Sequence, residues 1–341
     1  MTNKSFLLLL VCLLGTLSIP AKTKNTETSG YLQVAKYVKP GTGRDVADAL
    51  QRLIDANPNR TLFLADGEYL LSHPICTPAD PRRSVSLVLS NYACLRATAD
   101  WPQGEAIVRL GGIHPANDIR TPGSLYGIQG GIIDGAGVAD GISIDGGRET
   151  FIRQLSIKNT RVGIHIKHGA NNGSSDADVS NVHIVGCNTP ESVGVLVEGF
   201  DNTLSDMRIA SVNTGVWLRS GGNCLRNIHP LYIFGDKQQY DTSCGFRVDG
   251  SENWFYFCYS DQMATGFHLG NNCISQLTDC FCYWYSKNVP FQTAIHSDGP
   301  LKSHIKGLNV GGQAAPKHTV LDAPEGGSGT LTNLICTWPK D

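Results

Sequence analysis

One short phrase recurs seven times in the second half of the chain, a Gly or Ala followed by apolar, variable, apolar and variable residues. It reads GISID from Gly141, GIHIK from Gly163, GVLVE from Gly194, GVWLR from Gly215, GFRVD from Gly245, GFHLG from Gly266 and AIHSD from Ala294. Successive starts lie 22, 31, 21, 30, 21 and 28 residues apart. A unit returning in that range with variable excess marks a solenoid that carries loop insertions.

A second phrase trails each of the first six and returns near the end of the run: FIRQLSIK, DVSNVHIV, NTLSDMRI, NCLRNIHP, NWFYFCYS, NCISQLTD and SHIKGLNV. Both phrases alternate apolar with polar residues, which is the period of a β-strand. The shortest spacing, 21 residues, cannot hold two strands joined by a helix, because a crossover helix alone takes about ten residues or more. The unit is therefore read as one coil of a parallel β-helix, with a third short strand expected in the remainder. Coils then stack about 4.8 Å apart, and equivalent positions form ladders.

Composition agrees. The chain has 341 residues, 38 of them Gly, with 17% charged residues and a formal charge of -2, as expected of one large β domain. That balance gives no electrostatic footing for nucleic acid, and no membrane span is read. Lys4, the apolar run Phe6 to Leu14 and the stretch Thr16 to Ala21 read as a secretory signal. The expected organisation is a signal over 1–21, a flexible leader over 22–36, and a β-helix domain over 37–341 that includes an N-terminal cap and a C-terminal closing strand at Thr330 to Trp338. Such a protein is exported, to a periplasm or to the outside.

The ten cysteines beyond Cys12 are expected to serve as small apolar residues inside the coils. Cys224 and Cys273 are placed at one ladder position two coils apart, about 9.6 Å, which is beyond disulfide reach. A bridge involving Cys76 and Cys94 stays open. Asn202, Asn223, Asn253 and Asn272 open successive second phrases, and a stack of them at one corner is read as structural.

Asp45 to Ala56 reads as a helix, with Val46, Ala49, Leu50, Leu53 and Ile54 on one apolar stripe. Two strands divided by Asp66 and Gly67 follow it. Laid across the first coil, the helix would hide an open end of the solenoid. The stretch DVADALQRLIDANPNRTLFLADGEYLLSHPI resembles the N-terminal cap of pectin-lyase-like right-handed β-helix proteins, and GGIIDGAG from Gly130 resembles their first full coil. The resemblance implies an all-β, single-stranded right-handed parallel β-helix with a short N-terminal capping helix. It implies a place among polysaccharide lyases, glycoside hydrolases, epimerases and tailspikes, and it fixes no reaction.

In the first phrase the apolar positions point inward, so the third and fifth positions face out. The fifth positions are Asp145, Lys167, Glu198, Arg219, Asp249, Gly270 and Asp298, and the third are Ser143, His165, Leu196, Trp217, Arg247, His268 and His296. One outer face thus holds alternating charges beside imidazoles and an indole, which suits an extended polar chain such as an oligosaccharide. Its charges, about 4.8 Å apart, would equally well neutralise one another on any solvent face. Insertions at His168 to Ala177, Pro230 to Cys244 and Tyr285 to Thr293 flank this face and would wall a cleft. Trp217, His296 and Asp145 are the candidate substrate contacts.

Two chemistries fit. A lyase needs a base beside a uronate, a cation for the developing enolate and an acid for the leaving oxygen; Lys167, Arg219, Arg247, His165 and His268 are the candidates. A hydrolase needs paired carboxylates, and Glu198 with Asp249, about 9.6 Å apart along the axis, stand at the upper edge of the inverting range. The NTD, DD, GHG and late RIK signatures of polygalacturonase-like hydrolases do not occur in order, nor do the Asp cluster and RxPxxR-like stretch of calcium-dependent pectate lyases. The motifs name no cofactor or metal; calcium stays open, with Asp176 and Asp178 as the nearest pair. Trp254, Tyr256, Tyr259, Tyr283, Trp284 and Tyr285 crowd two adjacent coils, where core packing is the favoured use, and a sugar platform or a subunit contact, as in a homotrimer, the use of the remainder. A polysaccharide lyase is set slightly ahead of a hydrolase or transglycosylase, with a non-catalytic glycan-binding β-helix as the competing class. Convergence of the named residues in a cleft would favour the enzyme, and a flat face with every charge paired would favour the binder.

Overall fold

The computed structural model describes residues 30–113, 126–168, 174–233 and 237–339. The expected signal, most of the expected leader and parts of the first and second long insertions lie outside them. The chain forms a right-handed parallel β-helix in which every named strand pairing is parallel. Each coil has three strands, as in Phe151–Arg153, Ser156–Thr160 and Val162–Ile166. The third strands stack into one ten-stranded sheet.

The extra short strand expected in the remainder of the coil lies instead inside the second phrase, which bends in its middle and supplies two strands. Its corner residues fall in the left-handed region: Gln154, Asn181, Asp206, Asn227, Phe257 and Asp279 have φ between 51° and 56°. Asn and Asp tolerate that region better than other residues with a Cβ, which explains their recurrence there. In two coils the strands run on through the corner as one, Thr203–Ala210 and Cys224–Leu231.

The glycine that opens the first phrase is required by space. A Cβ on Gly141, Gly163, Gly194, Gly215 or Gly245 would sit 2.4 to 2.7 Å from the carbonyl oxygen of the equivalent glycine one coil on, and on Gly266 2.7 Å from that of Ala294. Stacked backbones approach so closely at this entry that only hydrogen fits. Inside, the paired apolar positions are fully buried, for example Ile164, Ile166, Val195, Val197, Val216 and Leu218.

The asparagine stack exists, shorter than expected. Asn223 Oδ1 accepts from the backbone N–H and the side-chain amide of Asn202 at 3.1 and 3.0 Å, and Asn253 Oδ1 accepts the same pair from Asn223. All three are fully buried. Asn272 is not in the stack: Trp254 pairs with Gln276, so Ser275 and then Ser303 continue the column. The same shift separates Cys273 from the row of Cys224. All ten described cysteines are free thiols, Cys76 and Cys94 included, and Cys244, Cys258, Cys273, Cys280 and Cys282 are buried as expected.

The helix spans Ala47–Asp55 and buries Ala47, Leu50 and Ile54 against the first coils. Asp45, just before the helix, accepts from the Ala47 N–H at 3.0 Å through Oδ1 and so satisfies one of the helix's open donors. Gln51 acts as a substitute strand: its Oε1 accepts from the Cys76 N–H at 2.7 Å and its Nε2 donates to the Cys76 carbonyl at 3.0 Å. One side chain thereby satisfies part of an open sheet edge. Tyr31–Gln33, within the expected flexible leader, instead forms a strand paired to Arg60–Leu64. At the other end Thr330–Thr332 and Ile335–Cys336 join the last coil, and Trp338 packs against Trp284, ring centroids 4.9 Å apart and planes tilted by 45°.

Replacing Gly194 with alanine is expected to cost about 1–3 kcal/mol by overpacking, since the new Cβ would meet Ile209 Cγ2 at 2.4 Å and the Gly215 carbonyl at 2.5 Å. Ala294→Gly, at the end of the same column, is expected to cost about 1 kcal/mol or less. Urea unfolding of both variants checks the contrast; equal costs would remove the steric account of the glycine phrase.

Candidate functional site

The ten-stranded sheet holds the expected outer row in register. Arg109, Ser143, His165, Leu196, Trp217, Arg247, His268, His296 and Asp322 are successive neighbours. Arg109 and Asp322 were not expected. Their strands, Ala106–Ile113 and His318–Asp322, lack the opening Gly that marks the other coils, although HTVLD alternates at the right distance after His296.

From Arg109 to Asp249 the row is a sequence of closed ion pairs. Asp145 meets Arg109 at 2.6 Å and Lys167 at 3.1 Å, accepts a hydrogen bond from Ser143, and is only 10% exposed. Ser143, expected to face solvent, is buried. Glu198 is held by His165 at 2.9 Å and Arg219 at 2.8 Å, so Lys167 is not its partner. Asp249 accepts from Trp217 Nε1 at 2.7 Å and from Arg247 at 3.4 Å. The indole itself lies against guanidinium groups, Arg247 at 4.4 Å and Arg219 at 5.2 Å from ring centroids. Trp217, a candidate substrate contact, is thus already engaged within the chain, through cation–π contact. Glu198 and Asp249 remain two coils apart, each occupied by its own cations, with no unpaired carboxylate to act as an acid. Asp176 and Asp178, the pair nearest to a calcium site, are paired to Arg148 and Arg153.

Beyond Asp249 the face changes character. A groove of about 540 Å³ opens on the same sheet, lined by Asp241, Thr242, Ser243, Cys244, Thr265, His268, Phe291, Thr293, His296, Lys317, Thr319 and Asp322. Its floor is two adjacent rows, Cys244–Thr265–Thr293–Thr319 and His268–His296–Asp322. Its walls come from two of the expected insertions, through Asp241 to Cys244 and Phe291, with Lys317 lying 5.7 Å from the Phe291 ring. At its edge His268 Nε2 is 2.8 Å from Asp298, His296 Nε2 is 3.4 Å from the same carboxylate, and His296 Nδ1 is 2.8 Å from Asp322. Burial alone would raise the Asp298 carboxyl, but the hydrogen bonds and charges of His268 and His296 outweigh it and hold it below the usual carboxylate range. Of the sequence candidates, the structure gathers His268 and His296 in the groove and leaves His165, Lys167, Glu198, Arg219 and Asp145 in the paired row.

The aromatic cluster on the next sheet differs from expectation. Among its six members only Trp284 is buried, while Trp254, Tyr256, Tyr259 and Tyr283 are half-buried and Tyr285 is exposed. Tyr259 stacks on His229 at 4.1 Å and donates its hydroxyl to Asp261 at 3.1 Å. No helix among the described residues is long and apolar enough to cross a membrane.

The paired row makes a pH prediction. Burial would raise the Asp145 carboxyl, yet the Ser143 hydrogen bond, Lys167 and Arg109 together hold it below its ordinary value of 3.8. A depressed carboxyl contributes stability that is complete above the unfolded-state value and is lost as pH falls through the lower folded-state value. Asp145→Asn is expected to cost about 2 kcal/mol near neutral pH, the range of a hydrogen bond to a charged group, and its gap from wild type to close progressively below pH 3.8. Unfolding across a pH series reads this; a gap that stays constant would mean that the ion pairs contribute none of it.

No family model matches the chain, and no curated protein matches it either. Solved structures do. The open reading frame 18 protein of Geobacillus virus E2 matches with a TM-score of 0.65 at 13% identity, over 89% of this chain and 62% of its own. An alginate lyase from Paenibacillus sp. matches with a TM-score of 0.59 at 16% identity, over 81% of this chain and 97% of its own. A tailspike protein of E. coli bacteriophage HK620 matches with a TM-score of 0.62 at 12% identity, over 89% of this chain and 65% of its own. The chain thus spans under two thirds of the length of the two viral proteins. At these identities the likeness is one of fold, the right-handed parallel β-helix.

Proposed function

We propose that the protein is a polysaccharide-active enzyme whose chain-like substrate lies along the ten-stranded sheet and reacts in the groove at His268 and His296. The groove supports this reading: its floor is polar, its walls are loop insertions that the solenoid itself does not need, and hydroxyl and imidazole groups line it together. The alginate lyase among the structural neighbours agrees with a substrate rich in uronic acid, and the expected signal with action outside the cytoplasm. A homotrimer that covers the half-exposed aromatic face fits the same reading.

The finer proposal is β-elimination. The proton on the carbon beside the uronate carboxylate passes to a base, its electron pair forms a carbon–carbon double bond, and the bond to the glycosidic oxygen breaks as that oxygen takes up a proton. A positive centre must face the carboxylate to stabilise the enolate. In the groove, the groups placed to meet that carboxylate are His268 and His296, held in position by Asp298 and Asp322. Lys317 and Asp241, both exposed on the walls, are the remaining ionisable groups able to take and return protons. The paired row upstream favours a second reading, a glycan-binding protein without catalysis, because from Arg109 to Asp249 every charge of the row already has its partner.

Incubation with a panel of acidic and neutral polysaccharides, following ultraviolet absorbance of the new double bond together with reducing ends, tests both. Elimination raises the two signals in step, and His268→Ala and His296→Ala are each expected to slow it by about 100-fold or more, against little change for Arg219→Ala. Reducing ends without absorbance would replace elimination with hydrolysis. Retention of a glycan with neither signal would leave the binding protein.

A further inference from the structure

We propose that His268, His296 and Asp298 hold a divalent transition-metal ion of the zinc class at the edge of the groove, with Asp322 orienting His296. The three residues offer one ligand atom each, all within 4.8 Å of one another. Asp298 Oδ1 lies 2.8 Å from His268 Nε2 and 3.4 Å from His296 Nε2. Ligands bound about 2.0–2.2 Å from a tetrahedral ion sit roughly 3.4 Å from each other, so only small side-chain movements separate this geometry from coordination. The imidazoles stand at 77° with centroids 4.8 Å apart, and so are not stacked face to face.

The second carboxylate is what distinguishes this group from an ordinary surface cluster. Asp322 Oδ2 is 2.8 Å from His296 Nδ1. A ring that donates its Nδ1–H to a carboxylate presents a bare Nε2, and that arrangement recurs behind metal-bound histidines because it fixes both the tautomer and the ring plane. Two imidazoles and one carboxylate suit zinc-class ions and disfavour calcium or magnesium, which take oxygen. Three protein ligands leave a coordination position for a groove occupant, as in catalytic rather than structural sites.

Metal binding stands independently of the glycan reading; the ion's role rests on it. In that role the ion is the positive centre that takes the uronate carboxylate, which raises affinity for acidic over neutral glycans.

Calorimetric titration of the full chain with Zn2+ near neutral pH tests binding, in a Cys336→Ser background because that thiol is exposed. One ion per chain is expected, with affinity lowered at least 100-fold by His268→Ala, His296→Ala or Asp298→Asn. Asp322→Asn is expected to lower it about 10- to 100-fold with the stoichiometry kept. Circular dichroism checks that each variant is folded, and the unaltered chain gives a readout that needs no variant at these four positions. Co2+ bound by nitrogen and oxygen shows weak visible bands without thiolate charge transfer. A thiolate band, no uptake by the parent protein, or equal uptake by folded His268→Ala and His296→Ala would each overturn the proposal. Uptake as expected with no glycan cleaved would retain the metal site and sink the enzyme reading, whereas cleavage that persists after chelation would separate the two the other way.

Discussion

Every coil of this protein must sit in register about 4.8 Å from the next, and that spacing governs the residues around the whole turn. At the entry to the ten-stranded sheet it brings backbones so close that a methyl group would strike the neighbouring carbonyl, as at Gly163 and Gly215. Between the other two strands it demands a left-handed corner, met by Asn181, Asp206, Asn227 and Asp279. At a third corner it lets one asparagine amide serve the next, through Asn202, Asn223 and Asn253. Hydrophobic burial supplies the driving force, and these three columns determine which register that force stabilises.

The same spacing sets the electrostatics of the outer face. Charges of alternating sign held a coil apart neutralise their neighbours, so a long row of ionisable residues becomes quiet and structural, as Asp145 between Arg109 and Lys167 demonstrates. Chemistry needs an interruption of that order. It comes where insertions rise beside the sheet, leaving His268 and His296 against Asp298 and Asp322 with a row of threonines beside them and a concavity in front.

Much of the architecture was legible because the repeat is written in the residues themselves: the Gly phrase, the alternation and the capping stripe at Leu50 and Ile54 all have local causes. The second phrase hid its corner, since a single left-handed residue such as Gln154 leaves the alternation of a strand nearly intact. Asn272 misled because one Asn looks like another until pairing fixes the register three residues away. The row of site candidates was legible, and its pairing was not. Whether Lys167 chooses Glu198 or Asp145 depends on side-chain reach and on Arg109, in a strand that lacks the repeat's signature. Asp322 was invisible for the same reason, and the groove's threonines, at an outward position just before the Gly, do not stand out by chemistry.

The close contact at the glycine column also divides the molecule by how much change each part tolerates. A single inserted residue within a strand would move a side chain into that contact and turn the apolar set outward. Added residues in the connections disturb neither, and the coil spacings of 21 to 31 residues show that this freedom is used. The walls of the groove, and with them its depth, are therefore set by connecting segments, over a floor that the sheet supplies. A cleft can be enlarged, shifted to another coil or erased in descendants of this scaffold while its stacked interior stays as it is.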